Sequence, residues 1–263
     1  MDLHLKNKIA LVTGASRGLG FATAKVLAEE GARVAINSRN SDHLEKATEL
    51  LRQSRRSNTL ALLGDLLDPT LPEMLVAQVT KKWGGLDILI TNAGGPPPGA
   101  FESFNDADWQ MAVELSLMVH VRLIRAALPW LKKSTAASVL TITSYSVKQP
   151  IPNLVLSNSM RAATVGLTKS LALELGEAGI RFNSILPAWT ETERVTSLMG
   201  ARASVNGTTM EEEIARQSKE SSLGRMGKPE EFAHAAAFLV SPAASYITGV
   251  MLTVDGGMYK GTL

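Results

Sequence analysis

Apolar and polar positions follow two rhythms along this chain. Short runs rich in Val, Ile, Leu and Thr are bounded by Gly, Asn or Ser, and longer stretches repeat their apolar residues at helical spacing. The short runs predict strands at Ile9–Thr13, Arg33–Asn37, Thr59–Leu63, Ile88–Asn92, Ser138–Thr143, Arg181–Leu186 and Met251–Val254. The longer ones predict helices near Gly18–Glu30, Ser41–Ser54, Leu71–Trp83, Asn105–Leu131, Val155–Gly176 and Pro229–Val240. Strands that alternate with helices make a parallel sheet covered on both faces. Right-handed crossovers joining the seven expected strands give one doubly wound α/β domain over residues 1–263, with no linker or internal repeat to divide it.

Two segments depart from this rhythm. Met111 to Leu131 is apolar on nearly every side, broken mainly by Glu114, His120, Arg122 and Arg125. A helix without a polar face is buried on more than one side, so one face is expected on the sheet and the other either sunk between neighbouring helices or, the favoured reading, against a partner subunit of a homo-oligomer, a tetramer or a dimer. Ala233 to Val254 contains no charged side chain and is long enough to span a bilayer. Ser241-Pro242 would end a helix in its middle, so a helix, a turn and a buried strand are expected instead.

Composition narrows the function classes. With a net charge of +2, the 263 residues offer neither a nucleic-acid footprint nor a polybasic membrane patch. A hydrophobic share of 45% against 20% charged is too apolar for disorder. The absence of cysteine excludes disulfides, thiolate nucleophiles and Cys-ligated metals. The first residues carry charge of both signs and lack a signal-peptide core. A cytoplasmic protein is expected.

Candidate chemistry begins after the first strand, where Gly14-Ala15-Ser16-Arg17-Gly18-Leu19-Gly20 leads into a helix. A glycine turn at a helix N-terminus presents unpaired N–H groups to an anion such as a pyrophosphate. The second strand ends Asn37-Ser38-Arg39, without the carboxylate that an NAD site directs at the ribose 2′-hydroxyl. Arg17 and Arg39 would instead clamp a 2′-phosphate, which favours NADP(H) over NAD(H).

Further runs complete a pattern. Gly64-Asp65-Leu66 follows the third strand and Thr91-Asn92-Ala93-Gly94 closes the fourth. Asn183 through Pro187-Ala188 precedes Thr192, and Gly224 through Glu231 and Thr248-Gly249 through Gly257 lie near the C-terminus. With the glycine loop, these make the chain similar over nearly its whole length to the short-chain dehydrogenase/reductase family, in particular to its 3-oxoacyl-acyl-carrier-protein-reductase-like members. The resemblance implies a Rossmann-type fold, a carbonyl or alcohol substrate, and cofactor contacts at Asp65, Leu66, Asn92, Ala93, Gly94, Pro187 and Thr192. It also implies a substrate lid near residues 188–225, within which Glu211-Glu212-Glu213 is expected to be a solvated helix start.

The family delivers the proton with a Tyr, a Lys four residues later, a Ser thirteen residues before the Tyr, and an Asn on the long helix. Registered on Val165 through Ala172, the Tyr position holds Ser157, the Lys position Arg161 and the Asn position Ser116; only the family's Ser is kept, as Ser144. Arg161 can hold the nicotinamide ribose but cannot relay a proton, and Ser157 is a far weaker acid than a phenol. Tyr145, with Lys148 nearby, is one substitute donor unless it packs beneath the loop. Ser144 and Ser157 passing a proton through water is another. Two readings follow: an NADP(H)-dependent oxidoreductase with a rebuilt proton-delivery site, or an NADP(H)-binding homologue that has lost its chemistry and acts as a sensor or partner subunit.

Overall fold

The computed structural model describes residues 1–53 and 58–262. Among them seven strands form one parallel sheet: β1 (Ile9–Val12), β2 (Arg33–Ser38), β3 (Asn58–Leu63), β4 (Ile88–Thr91), β5 (Ser138–Ile142), β6 (Arg181–Pro187) and β7 (Met251–Val254). Their order is β3-β2-β1-β4-β5-β6-β7, so the chain reverses direction across the sheet between β1 and β4. Val12 lies opposite Ile36 on one side and Ile90 on the other. Every residue of β1, β4 and β5 is buried, which is why these runs carry apolar residues on both faces rather than alternating, with only small hydroxyl residues (Thr91, Ser138, Thr141) among them.

Helices cover both faces. α1 (Gly18–Glu29), α2 (Ser41–Arg52) and α9 (Pro229–Val240) bury their apolar stripes on one face, in a core that includes Leu27, Ile36, Leu51 and Phe232. α3 (Leu71–Trp83), α5 (Val119–Leu131) and α6 (Val155–Glu174) cover the other, around Leu75, Leu123 and Phe182. The ends of α9 show why it stops where it does. Pro229 opens it, where a missing N–H costs nothing. At its C-terminus Arg181 of β6 donates to the carbonyls of Leu239 (2.7 Å), Val240 (3.1 Å) and Ser241 (3.0 Å). A cation there satisfies orphan carbonyls and complements the helix dipole.

Four expectations need correction. The long helix expected over Asn105–Leu131 is interrupted: Asn105 caps α4 (Asp106–Val113), and Glu114–Met118 forms a π turn before α5. That wider turn frees the Ser116 carbonyl, which accepts from Thr164 Oγ on α6 at 2.6 Å. The segment read as a lid contains two helices that periodicity did not single out, α7 (Glu193–Asn206) and α8 (Met210–Glu220). Glu211 and Glu212 are exposed as expected, but Glu213 is buried and accepts from Asn206 and Thr208, whose hydrogen bonds lower its pKa. Ala233–Val254 does fold as a helix, a turn and a strand, with β7 a half-buried edge strand rather than a buried one. Ser54, the expected last residue of the second helix, lies outside the described residues. Among the described residues no helix is long and apolar enough to cross a membrane.

The Arg181 anchor makes a stability prediction. Arg181→Ala should lower the unfolding free energy by about 2–4 kcal/mol, since it strips charged hydrogen bonds from carbonyls at a buried helix end. Urea unfolding monitored by circular dichroism checks this; a loss under about 0.5 kcal/mol would show that the carbonyls find other donors.

Candidate active site

Where the strand order reverses, the loops after β1 and β4 diverge and open a crevice, the usual ligand position in a doubly wound sheet. The crevice is braced from beneath. Thr13 Oγ donates to the Asn92 carbonyl (2.9 Å) and accepts from its N–H (3.0 Å), while Asn92 Nδ2 donates to the Gly14 carbonyl at 2.9 Å. These bonds pull the glycine loop so close to β4 that a Cβ on Gly14 would lie 2.7 Å from the Asn92 oxygen. On Gly20 it would lie 2.5 Å from the Gly14 oxygen. Side chains are therefore excluded by backbone packing as well as by any ligand.

The result is a cleft of about 620 Å³. Gly14, Ser16, Arg17, Gly18, Leu19, Arg39, Asp65, Leu66, Asn92, Ala93, Gly94, Pro187 and Thr192 all line it, as do Ser144, Tyr145, Ser157 and Arg161. Gly20 is buried beneath the loop. The N-terminus of α1 faces this space with no side-chain cap and no acidic residue in its first turn. Bare N–H groups and glycine walls fit a dinucleotide pyrophosphate. Arg17 and Arg39 stand at the outer end, each beside a carboxylate: Arg17 on Glu193 of α7, and Arg39 at 3.7 Å from Asp65. Both pairs are largely exposed and so individually weak.

At the inner end the substituted residues form a hydrogen-bonded set. Arg161, on α6, donates from Nε to Ser157 Oγ (3.1 Å) and from Nη1 to the Thr143 carbonyl at the end of β5 (2.9 Å). Burial, with the nearby Arg194 charge adding to it, pulls the Arg161 pKa down to about 10, so the guanidinium stays charged at neutral pH. Ser144 Oγ accepts from the Ser146 N–H at 3.1 Å. Both hydroxyls thus have an acceptor role filled by an N–H, which leaves their own protons free for an oxygen in the cleft.

The two other expected participants sit differently. Tyr145 is buried in a cluster with Trp189 and Met199, and burial, then the Glu220 charge, pushes its phenol pKa up. The Lys148 ammonium lies over the Tyr259 ring at 5.2 Å. Ser116 is buried in the π turn and acts there through its carbonyl. Behind the site, His120 Nδ1 and Thr91 Oγ share a 2.7 Å hydrogen bond. Burial, assisted by the Arg161 charge, pulls His120 down to about 3 and keeps it neutral.

Sequence reading did not single out Arg194. It lies two residues past Thr192, on α7, and its Nη2 donates to the Pro96 carbonyl at 3.1 Å. The available signal was a basic residue two positions after Thr192, an expected cofactor contact, in a segment read only as a lid.

Comparison with known proteins agrees with this geometry. The family described as enoyl-(acyl carrier protein) reductase matches residues 14–259. The 3-oxoacyl-[acyl-carrier-protein] reductase of Vibrio cholerae is 32% identical over 98% of this chain and 99% of its own. The crystal structure of L-sorbose reductase from Gluconobacter frateurii, complexed with NADPH and L-sorbose, superposes with a TM-score of 0.94 at 30% identity, covering 99% of this chain and 100% of that one. An NADPH-bound short-chain oxidoreductase from Pseudomonas aeruginosa PAO1, described as containing an atypical catalytic center, gives 0.88 at 31% identity over 98% and 100% of the two chains. The chain belongs to the short-chain dehydrogenase/reductase family, a family of nicotinamide-dependent oxidoreductases.

The neutral His120 has a pH consequence. Its folded pKa lies below the ordinary value of 6.5, so between about pH 3 and 6.5 the unfolded chain binds a proton that the native ring refuses. Its contribution to stability is complete above pH 6.5 and declines as the pH falls towards 3. Urea midpoints measured across this range should fall more steeply for the wild type than for His120→Gln. Parallel curves would show that the ring is not held neutral.

Proposed function

We propose that the protein is an NADP(H)-dependent oxidoreductase that interconverts a carbonyl and an alcohol, with the retained Ser144 and a second serine, Ser157 at the family's Tyr position, as the hydroxyls at the reacting oxygen and Arg161 at the Lys position. The observation that carries this reading is the pairing of Ser144 and Ser157. Both line the inner cleft, and both are held so that an N–H occupies their acceptor side.

Bound NADPH would supply the hydride. The chain's part is to orient the carbonyl and stabilise the charge that grows on its oxygen. Two hydroxyl donors aimed at that oxygen act as an oxyanion hole, and preorganised donors of this kind are among the largest contributors to catalysis. Arg161 adds a fixed positive charge beside Ser157, favouring negative charge on the oxygen that Ser157 touches. It transfers no proton itself. The proton reaches the alkoxide from water, through Ser144 and Ser157. Tyr145 does not serve as the donor on this reading, because its raised pKa makes it a poorer acid than an ordinary phenol.

Preference for NADP(H) rests on the outer end of the cleft. β2 ends at Ser38, without a carboxylate to meet a ribose 2′-hydroxyl, and Arg17 and Arg39 flank the space beyond it. The acidic residues in that part of the lining, Asp65 and Glu193, stand beside Arg39 and Arg17. α7 and α8 form the substrate lid, and the Arg17–Glu193 pair ties the lid to the glycine loop. A cytoplasmic homo-oligomer, dimer or tetramer, remains part of this proposal, supported by the apolar character of residues 111–131.

Turnover tests the mechanism. With NADPH oxidation followed across a carbonyl panel, Ser144→Ala and Ser157→Ala should each lower kcat by about 10²–10³-fold, while Tyr145→Phe should leave it essentially unchanged. Loss of turnover in Tyr145→Phe alone would return the proton to the phenol. Tight NADPH binding without turnover in the wild type would favour a catalytically silent sensor.

A fluorescence titration tests the cofactor preference. Replacing both Arg17 and Arg39 with Ala should weaken NADPH binding by about 10- to 100-fold and NADH binding far less. Equal losses would refute the 2′-phosphate clamp.

A further inference from the structure

Two guanidinium groups meet at Gly95, just past the end of β4. A Cβ on Gly95 would lie 3.4 Å from Arg161 Nη2 and 3.5 Å from Arg194 Nη2. They come from different elements, α6 and α7, far apart in sequence, and neither forms an ion pair with a carboxylate among the described residues. The hydrogen bonds of Arg161 use Nε and Nη1 and leave Nη2 without a protein partner; Arg194 bonds only a carbonyl. Glu193, the acidic residue next to Arg194 in sequence, is turned to Arg17. Burial lowers the pKa of both arginines, and for Arg161 the Arg194 charge adds to it, with no carboxylate opposing the effect. Two like charges drawn together in a partly dry cleft cost free energy that an anion between them would recover.

We propose that the inner cleft binds a substrate carrying a carboxylate next to its carbonyl, held over Gly95 by Arg161 and Arg194. The position of the carboxylate follows from the guanidinium itself. Nε of Arg161 engages the Ser157 hydroxyl, which addresses the reacting oxygen, while Nη2 of the same group faces Gly95. Carbonyl and carboxylate are therefore separated by little more than one guanidinium, which fits a short 2-oxo or 3-oxo acid. Planar guanidinium groups suit a carboxylate in both shape and charge. Resting on the oxidoreductase reading above, the reaction adds a hydride, with its two electrons, from NADPH to the carbonyl carbon, and a proton from water to the oxygen. The oxo acid becomes a hydroxy acid and NADP+ leaves.

Binding separates this proposal from turnover. Calorimetry on the NADP+ complex, which cannot reduce a ketone, would use 2-oxobutanoate and acetoacetate as probes, each beside its methyl ester. The acids should bind at least about tenfold more tightly than the esters, as expected for a charged hydrogen bond. Arg194→Gln should abolish that preference and leave NADPH affinity unchanged, and Arg194→Lys should restore part of it. Equal binding of acids and esters would overturn the proposal. So would a loss of NADPH affinity in Arg194→Gln as large as the loss for the acids, because the pair would then serve a cofactor phosphate. Arg194-dependent binding of the acids with no NADPH oxidation by any carbonyl would support the anion site while refuting the oxidoreductase reading.

Discussion

Arg161 projects from α6 beneath the ends of β4 and β5, and its nitrogens are divided among the Thr143 carbonyl, the Ser157 hydroxyl and the space over Gly95. Much of the inner cleft follows from that division. It positions Ser157, places a positive charge beside that hydroxyl, and contributes to keeping His120 neutral behind the site. A lysine there would offer a compact ammonium with freely rotating donors; the guanidinium is a rigid fork that joins three places at once. Exchanging Lys for Arg thus changes which atoms are positioned, and Ser in place of Tyr shortens the neighbouring side chain to match.

The cleft depends in turn on the sheet. Reversal of strand order between β1 and β4 separates two loops that would otherwise pack together. Thr13 and Asn92 then bind those loops to each other from below. The glycine loop is held by this brace in a shape that excludes side chains and bares the α1 N-terminus. One local geometry therefore both packs the loop on the sheet and turns the α1 N-terminus to the cleft.

Much of this was legible in the sequence, for reasons that can be named. Leu71–Trp83 and Pro229–Val240 were placed to the residue because their ends carry local signals: a glycine after Trp83 and prolines at Pro229 and Pro242. The glycine loop, the ends of β2 and β4, and the residues at the Tyr and Lys positions are also local features. The long helix was misread at Ser116 because a π turn leaves no mark on apolar periodicity; the donor that meets its freed carbonyl, Thr164, comes from another helix. α7 and α8 were passed over because they bury few apolar side chains, Met199 and Ala203 on α7 and polar Glu213 and Gln217 on α8, so they lack the broad apolar stripe of a sheet-covering helix. Glu213 was misjudged because its partners come from outside its own helix: Asn206 ends α7, and Thr208 lies in the connection that precedes α8.

By itself the sequence determined the doubly wound sheet, the glycine turn between β1 and α1, and the absence of the phenol and ammonium from the positions where the family carries them. Each is encoded in neighbouring residues, through periodicity, turn chemistry or fixed spacing. Only the tertiary structure decided that Tyr145 is buried with a raised pKa, that Lys148 lies over Tyr259, and that Arg194 folds back to Pro96 and meets Arg161 at Gly95. Those outcomes depend on side chains from distant elements competing for the same space and the same acceptors, and packing settles that competition only after the chain has closed on itself.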